Sequence, residues 1–271
     1  MATRKDVRLE GALTLVTGAG SGIGRAVALE LARRGSRVLA VDLRADTAEK
    51  TAAACAETGP EAHGLACDVS DLDAVTALAA DVHDRFGPLD VLVNNAGVGM
   101  SGRFTEMTMD DWRWIRGVNL DGVVHCCHAF GPAMVVRGHG HVVIMSSGLG
   151  YTMHATEPAY VATKAAVLAL AQCLRADWGR SGVGVSVICP GIINTPIVDT
   201  TRYLGSRAES EERTRRMFSR GHPPQLVARD VVVAIQENRV MVPSGWEAKA
   251  AWWAHRFLPL RVHQAMARAD V

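Results

Sequence analysis

Short runs of Val, Ile, Leu and Ala recur along the chain, each followed by a longer stretch in which apolar residues return every three or four positions. The runs at 12–17, 37–41, 63–66, 91–93, 141–145 and 183–188 are mostly apolar on successive positions. A strand buried on both faces needs that pattern, so these runs predict the strands of a parallel sheet. The periodic stretches near 23–34, 46–57, 71–86, 108–137 and 157–179 predict helices. Their alternation predicts an α/β fold, with right-handed βαβ units wound into a parallel sheet flanked by helices on both faces. The chain has no internal repeat, no low-complexity tract and no linker long enough to separate one domain from another. Residues 1–271 therefore read as a single domain.

Two regions leave the alternation. Residues 200–224 are charged and turn-rich, with Arg202, Arg207, Arg213, Arg215, Arg216 and Arg220 set among three glutamates. They follow the carboxyl end of a strand, where α/β proteins bind ligands, and read either as a solvated surface helix or as a mobile substrate lid. Residues 244–271 read as a C-terminal helical extension. It opens on the capping-box pattern Ser244-Gly245-Trp246-Glu247. Trp246, Ala250, Trp253 and Phe257 then recur at helical spacing as an apolar stripe, expected to be core or subunit contact before substrate pocket or membrane-surface anchor.

Charge and composition narrow the partners. Lys and Arg (29) nearly cancel Asp and Glu (28), leaving a formal net charge of +1. That balance makes no global electrostatic case for nucleic acid or an anionic membrane. Residues 1–10 are polar and lack the apolar core of a signal peptide. The uncharged run 181–198 holds three glycines, two prolines and Asn194, so it reads as a buried strand and loop and not as a membrane segment. Cys55, Cys67, Cys126, Cys127, Cys173 and Cys189 show no metal-ligand spacing, and no histidine falls in a ligand motif. Reduced core cysteines, no metal site and a cytoplasmic location are the expectations.

The first strand leads into T-G-A-G-S-G-I-G over 17–24 and then an amphipathic helix. The pattern is T-G-x-x-x-G-x-G through Gly18, Gly22 and Gly24, with Ser21 and Ile23 between them. Glycines there allow a tight turn, close approach of backbone N–H groups to a pyrophosphate, and close packing of helix on strand. The placement predicts a Rossmann-type dinucleotide site. Asp42 ends the second strand, where a carboxylate accepts from the adenosine ribose hydroxyls and repels a 2′-phosphate. NAD(H) is therefore preferred, while Arg44 close by keeps NADP(H) open. Asp68-Val69 after the third strand offers a carboxylate and a backbone amide to the adenine, or an ordinary helix cap. Asn94-Asn95-Ala96-Gly97 ends the fourth strand, its small residues letting the backbone run beside a cofactor while the Asn amides tie strands together.

Tyr160 and Lys164 stand four residues apart on the helix over 157–179, which places phenol and ammonium on one face. A free tyrosine, with a pKa of about 10, is a poor base at neutral pH, and a nearby fixed cation is expected to lower it. Ser146-Ser147 ends the preceding strand and offers a hydroxyl to a substrate oxygen beside Tyr160.

Taken in order, the motifs TGAGSGIG, CDV, NNAG, SS…YVATK and PGIINTP, spread over residues 13–196, resemble the short, single-domain branch of the short-chain dehydrogenases/reductases. The resemblance implies that Tyr160 is the general acid/base, that Ser147 more than Ser146 orients the substrate, and that Lys164 binds nicotinamide-ribose hydroxyls. It implies that Asn119 holds a water of the proton relay. Pro190, Gly191, Ile193 and Thr195 would fix the nicotinamide, and Asn94, Asn95, Ala96 and Gly97 would line the cofactor. The implied reaction is hydride transfer between NAD(H) and a secondary alcohol or ketone, in a homodimer or homotetramer built through helices at 119–137 and 157–179. After residue 238 the chain departs from the family's glycine-rich ending.

Two other readings remain at this point. One is an NADPH-dependent 3-oxoacyl reductase, against which Asp42 argues. The other is a catalytically silent nucleotide-sensing protein, expected to lack Tyr160 or Lys164. Leu149, Tyr151, Met153, His154 and Met100 are expected to border the pocket, which with the Trp-rich tail points to a bulky apolar substrate.

Overall fold

The computed structural model of the chain describes residues 7–268. Residues 1–6 of the polar N-terminal stretch and residues 269–271 of the expected extension lie outside them. The strands are β1 (Leu13–Thr17), β2 (Arg37–Asp42), β3 (Ala62–Ala66), β4 (Val91–Asn94), β5 (Met100–Ser101), β6 (Gly140–Met145), β7 (Val183–Pro190), β8 (Arg202–Tyr203) and β9 (Met241–Ser244). The helices are α1 (Gly22–Arg33), α2 (Ala45–Ala56), α3 (Leu72–Phe86), α4 (Met109–Arg116), α5 (Gly122–Arg137) and α6 (Pro158–Trp178), then α7 (Ile197–Thr200), α8 (Glu211–Ser219), α9 (Pro224–Gln236), α10 (Trp246–Phe257) and α11 (Leu260–Ala267).

Seven strands form one sheet in the order β3-β2-β1-β4-β6-β7-β9, every neighbouring pair parallel. This is the Rossmann-type doubly wound arrangement. Successive strand side chains point to opposite faces, and the apolar runs feed both. Val16, Val38 and Val93 pack with Leu31 of α1 and Val231 of α9. Their neighbours Leu15, Leu39 and Leu92 pack on the other face with Val75 of α3, Phe130 of α5 and Val167 of α6. The order reverses between β1 and β4, which opens a crevice at their carboxyl ends.

Several elements differ from the sequence reading. The segment 241–244 is a seventh strand, and Pro243 is tolerated there because β9 is an edge paired only with β7. Helix α9 begins at Pro224, the last residue expected in the lid. The helix expected over 108–137 is broken by a π-turn at Gly117–Asp121, which carries Asn119. The capping box at 244–247 does not form. Gly245 caps α10, the Ser244 hydroxyl donates to Asp230 Oδ2 (2.5 Å), and Glu247 Oε2 lies 2.9 Å from His222 Nε2. The stripe Trp246, Ala250, Trp253, Phe257 is the outer face of α10, while Ala248 is buried and Trp252 stacks edge-on against Tyr151. Five cysteines are buried and Cys173 is exposed, all of them free thiols.

Candidate active site

The loop after β1 turns at Gly18 and Gly22, whose φ angles of 63° and 51° lie in the left-handed region where a side chain is strained. Gly24 is constrained by space, since a Cβ there would stand 2.1 Å from Gly18 O. Ser21 precedes α1 without a side-chain cap, and the first turn of α1 holds no acid. The amides of that turn are therefore uncapped by the helix's own side chains, in a dipole that favours an anion. Thr17 Oγ1 accepts from the backbone N–H groups of Asn95 and Ala96, both at 3.0 Å, and Asn95 Nδ2 donates to Thr17 O (2.9 Å) and Gly18 O (3.2 Å). This cradle, in which side chains would fill the space, fits a dinucleotide pyrophosphate.

At the end of β2 the Asp42 carboxylate faces the same loop. Its Oδ2 accepts from Gly20 N–H at 2.8 Å and its Oδ1 from the Thr47 hydroxyl at 3.0 Å. Arg44 turns away from it: its guanidinium donates to both oxygens of Asp46, at 3.1 and 3.0 Å. Asp68 is exposed, and one of its oxygens accepts from the Ser70 N–H (2.9 Å) and hydroxyl (2.7 Å). That is turn chemistry, which leaves its second oxygen outside the turn. Val69 is buried against Gly122, and its carbonyl lies 3.0 Å from His125 Nδ1. Ile23 and Ile193 both send their side chains into the core. Thr195 stands against Gly22, within 3.2 Å of where a Cβ would be, so the segment from Pro190 closes over the nucleotide loop.

The second cluster sits at the carboxyl ends of β4, β6 and β7. Ser146 and Ser147 end β6 and divide the work. The Ser146 hydroxyl is buried and donates to Lys164 O at 2.7 Å, locking the strand to α6. The Ser147 hydroxyl accepts from Leu149 N–H at 3.2 Å and stands beside the Tyr160 phenol, whose ionised form it favours. Lys164, one turn on, is buried and donates from Nζ to Met145 O at 3.1 Å. A Cβ at Gly97 would lie 3.3 Å from both Lys164 Nζ and Asn119 Oδ1, so the loop after β4 presses on this cluster. Asn119 is fully buried, exchanges hydrogen bonds with the Val98 backbone at 2.8 and 3.0 Å, and donates to Thr163 Oγ1 at 3.4 Å. The π-turn gives it that reach.

Electrostatics here differ from the expectation. Burial pushes the Tyr160 phenol up to about 12, with the neighbouring Ser147 hydroxyl pulling against it and the Glu157 carboxylate adding to the rise. Burial also pushes Lys164 down to about 8. The ammonium faces Met145 O and lies 5.8 Å from the Tyr160 ring centre, and burial, not the lysine, sets the direction of the phenol's shift. The Cys189 thiol, beside Ser146, is pushed up to about 12 by burial and stays protonated.

Four candidate catalytic residues, Asn119, Ser147, Tyr160 and Lys164, are thus brought together with Gly97. Residues the sequence reading passed over are Thr17, Gly20 and Thr47, which anchor the loop and Asp42. The signal for Thr17 was available, as the first letter of the glycine motif. Of the expected pocket residues, Met100 is buried in a cluster that Tyr160 packs against. Tyr151 is buried as well, its hydroxyl donating to Ala248 O at 2.6 Å, so it fastens the loop after Ser147 to α10. Among the described residues no cluster of His, Cys, Asp and Glu has metal-site form, and no helix is long and apolar enough to cross a membrane.

A family model described as short chain dehydrogenase matches residues 12–203. The probable oxidoreductase EphD of Mycobacterium tuberculosis is 40% identical over 255 residues, which are 91% of this chain and 43% of that protein. This chain thus spans less than half the length of that relative. A D-threitol dehydrogenase of Mycolicibacterium smegmatis is 36% identical over 84% of this chain and 88% of its own. A 3beta-hydroxysteroid dehydrogenase of Mediterraneibacter gnavus is 37% identical over 80% and 77%. The crystal structure of a short chain dehydrogenase/reductase from Burkholderia phymatum in complex with NAD superposes with a TM-score of 0.87, at 30% identity, covering 94% of this chain and 96% of that one. A structural neighbour from Beutenbergia cavernae with bound NADP has a TM-score of 0.76 at 29% identity, over 87% of this chain and 96% of its own.

Proposed function

Because this chain belongs to the short-chain dehydrogenase family, we propose that it is an NAD(H)-preferring oxidoreductase acting on a bulky, apolar secondary alcohol or ketone. The observation that carries the reading is the Ser147 hydroxyl set beside the Tyr160 phenol, one helical turn from a buried lysine. A bound nicotinamide would supply or accept the hydride.

The chain's own residues handle the oxygen. A carbonyl placed between Ser147 Oγ and Tyr160 Oη receives a hydrogen bond from the first and a proton from the second. A phenol with a pKa near 12 is protonated at neutral pH, so Tyr160 stands ready as an acid for carbonyl reduction. Alcohol oxidation needs the phenolate and is expected to speed up as pH rises. Lys164 is charged below about pH 8 and can hold a ribose hydroxyl, while Asn119 fixes Val98 and the loop that carries Gly97. Ser21, Gly22 and Gly24 would cradle the pyrophosphate. Asp42 would take the ribose, Asp68 and Val69 the adenine edge, and Asn95, Ala96, Pro190, Gly191, Ile193 and Thr195 the backbone walls.

NAD is favoured over NADP because the Asp42 carboxylate at the end of β2 would repel a 2′-phosphate, and because Arg44 is engaged by Asp46. The apolar Met100 and Ile115 pack behind Tyr160, and of the relatives the steroid dehydrogenase favours a bulky substrate while the D-threitol dehydrogenase favours a small polyol. Pairing of α5 and α6 across a homodimer or homotetramer belongs to the same reading. Val124 and Val136 are exposed on α5 and available for it.

The test is a panel of secondary alcohols and ketones assayed with NAD(H) and NADP(H), with Tyr160→Phe as control. Expected are faster initial rates with NADH on bulky apolar ketones and a loss of about 10²–10⁴-fold in Tyr160→Phe, with NADH binding retained by fluorescence titration. Near-full turnover in that variant overturns the assignment. Equal rates with NADPH overturn the cofactor preference, and equal rates on small polyols overturn the substrate class.

A further inference from the structure

Helix α10 is apolar on two sides. Its inner side, with Ala248 and Trp252, packs on Tyr151 and the loop after Ser147. Its outer side carries Trp246, Trp253 and Phe257, seven and eleven residues apart and hence on one face. These are exposed by 70%, 59% and 67%, and Leu260 of α11 continues the surface at 62%. Trp253 and Phe257 stack on each other with ring centres 5.4 Å apart, outside the core. Such a stripe of large side chains in contact with water calls for a covering.

Charge says what covers it. The segments 211–220 and 246–268 together hold eight Lys and Arg against three Glu, in a chain whose formal net charge is +1. Lys249 and Arg256 flank the aromatic stripe, and the Arg256 guanidinium lies 5.9 Å from the Phe257 ring centre. Of the three acids, Glu212 is paired with Arg216, Glu211 with Arg215, and Glu247 lies against His222. The lid and the tail meet at a cleft of about 420 Å³ lined by Arg213, Arg216 and Arg220 of the lid, Met217, Glu247 and Ile192. Ile192 follows Gly191 in the segment that closes over the nucleotide loop. The arginine face of α8 thus meets the start of α10 at Glu247, next in sequence to Trp246, and Ile192 ties that cleft to the candidate active site.

We propose that this face, the outer side of α10–α11 with the arginine face of α8, seats the protein on an anionic lipid bilayer. Trp246, Trp253 and Phe257 enter the headgroup boundary and the surrounding Lys and Arg meet lipid phosphates. Aromatic residues with one wet edge favour that boundary, and basic side chains beside them add attraction to anionic headgroups. The docked orientation turns the arginine-lined cleft toward the membrane, so an apolar substrate dissolved in the bilayer reaches the lid without crossing water.

The test is co-sedimentation of the full chain with phosphatidylcholine vesicles, with or without phosphatidylglycerol, alongside Trp253→Ser/Phe257→Ser and Arg256→Glu/Arg261→Glu. Expected is at least tenfold stronger partitioning onto the anionic vesicles, weakened by added salt. The aromatic double variant should lose it on both sides of the salt range and the charge variant mainly at low salt. Both variants should keep the wild-type melting temperature and turnover of a small water-soluble ketone, which separates this proposal from the catalytic one. Equal binding of wild type and aromatic variant overturns the proposal. So does failure of the wild type to bind either vesicle. A shift of the aromatic variant to a smaller species in analytical ultracentrifugation, with no vesicle binding by the wild type, assigns the face to a second copy of the chain.

Discussion

Around the first loop, Thr17 and Asn95 bind backbone atoms of the neighbouring strand and turn, and Gly24 packs where no side chain fits. Helix α8, within the segment 200–224 that would form a lid, buries none of its nine residues, and its fixed points are exposed ion pairs such as Arg216–Glu212 at 3.0 Å. The first kind of contact is short, directional and specific to one backbone shape. The second is worth about 0–1 kcal/mol and is screened by salt. On the proposed reading, a binding cradle that must hold one geometry and a cover that must open can share one domain, because the energies holding the two regions differ.

The candidate catalytic pocket lies between these extremes, and five changes sharpen the contrast. Ser147→Ala is expected to have the largest effect, lowering kcat/KM by about 10²–10³-fold as removal of a positioned donor does. Ser146→Ala should act on stability first, since its hydroxyl serves Lys164 O. Equal kinetic losses in the two variants would erase the division of labour between them. Lys164→Met comes next. The buried ammonium is held at about 8, against an ordinary value near 10.4, a strain of about 3 kcal/mol. Its relief should raise the melting temperature at pH 7 while activity falls.

The sign of that effect has a pH signature. Below about pH 8 the lysine is protonated in both the folded and the unfolded chain, and the penalty is constant. Between about 8 and about 10.4 the unfolded chain holds more protons, so wild-type stability rises with pH across that window. In Lys164→Met the rise should flatten, and identical urea-melt profiles for the two proteins would contradict it. Asp42→Ala is expected to shift the NADP-to-NAD ratio of kcat/KM toward NADP by about tenfold, or about 1.4 kcal/mol. No change in the ratio would place the discrimination elsewhere. Smallest is Arg216→Ala, expected to cost less than about 0.5 kcal/mol in urea melts. A loss of several kcal/mol there would mean that the lid is as firmly built as the cradle.

The regions of the molecule read correctly from sequence are those where one residue type answers to one local constraint. The apolar runs became the strands of the sheet because a doubly covered strand leaves polar side chains no outlet. Gly18, Gly22 and Gly24 could be singled out because turn geometry and close packing admit little else. Asp68 was less legible, since a carboxylate after a strand serves a ligand or a turn equally well. Here one oxygen is taken up by Ser70. The stripe on α10 carried the same helical period whichever way it faced. Periodicity gives a face, and only the neighbours decide whether that face is inside.

Sequence alone, then, determined the winding of the sheet, the glycine cradle and the i, i+4 pairing of Tyr160 with Lys164, since each follows from local sterics or helical repeat. Tertiary structure decided which serine reaches the phenol, which way Arg44 turns, and that burial raises the tyrosine and depresses the lysine. It also decided that the tail shows its aromatic stripe to the outside. Those outcomes depend on solvent exclusion and on partners far apart in the chain, and both come into being only when the sheet and its two helical layers close on each other.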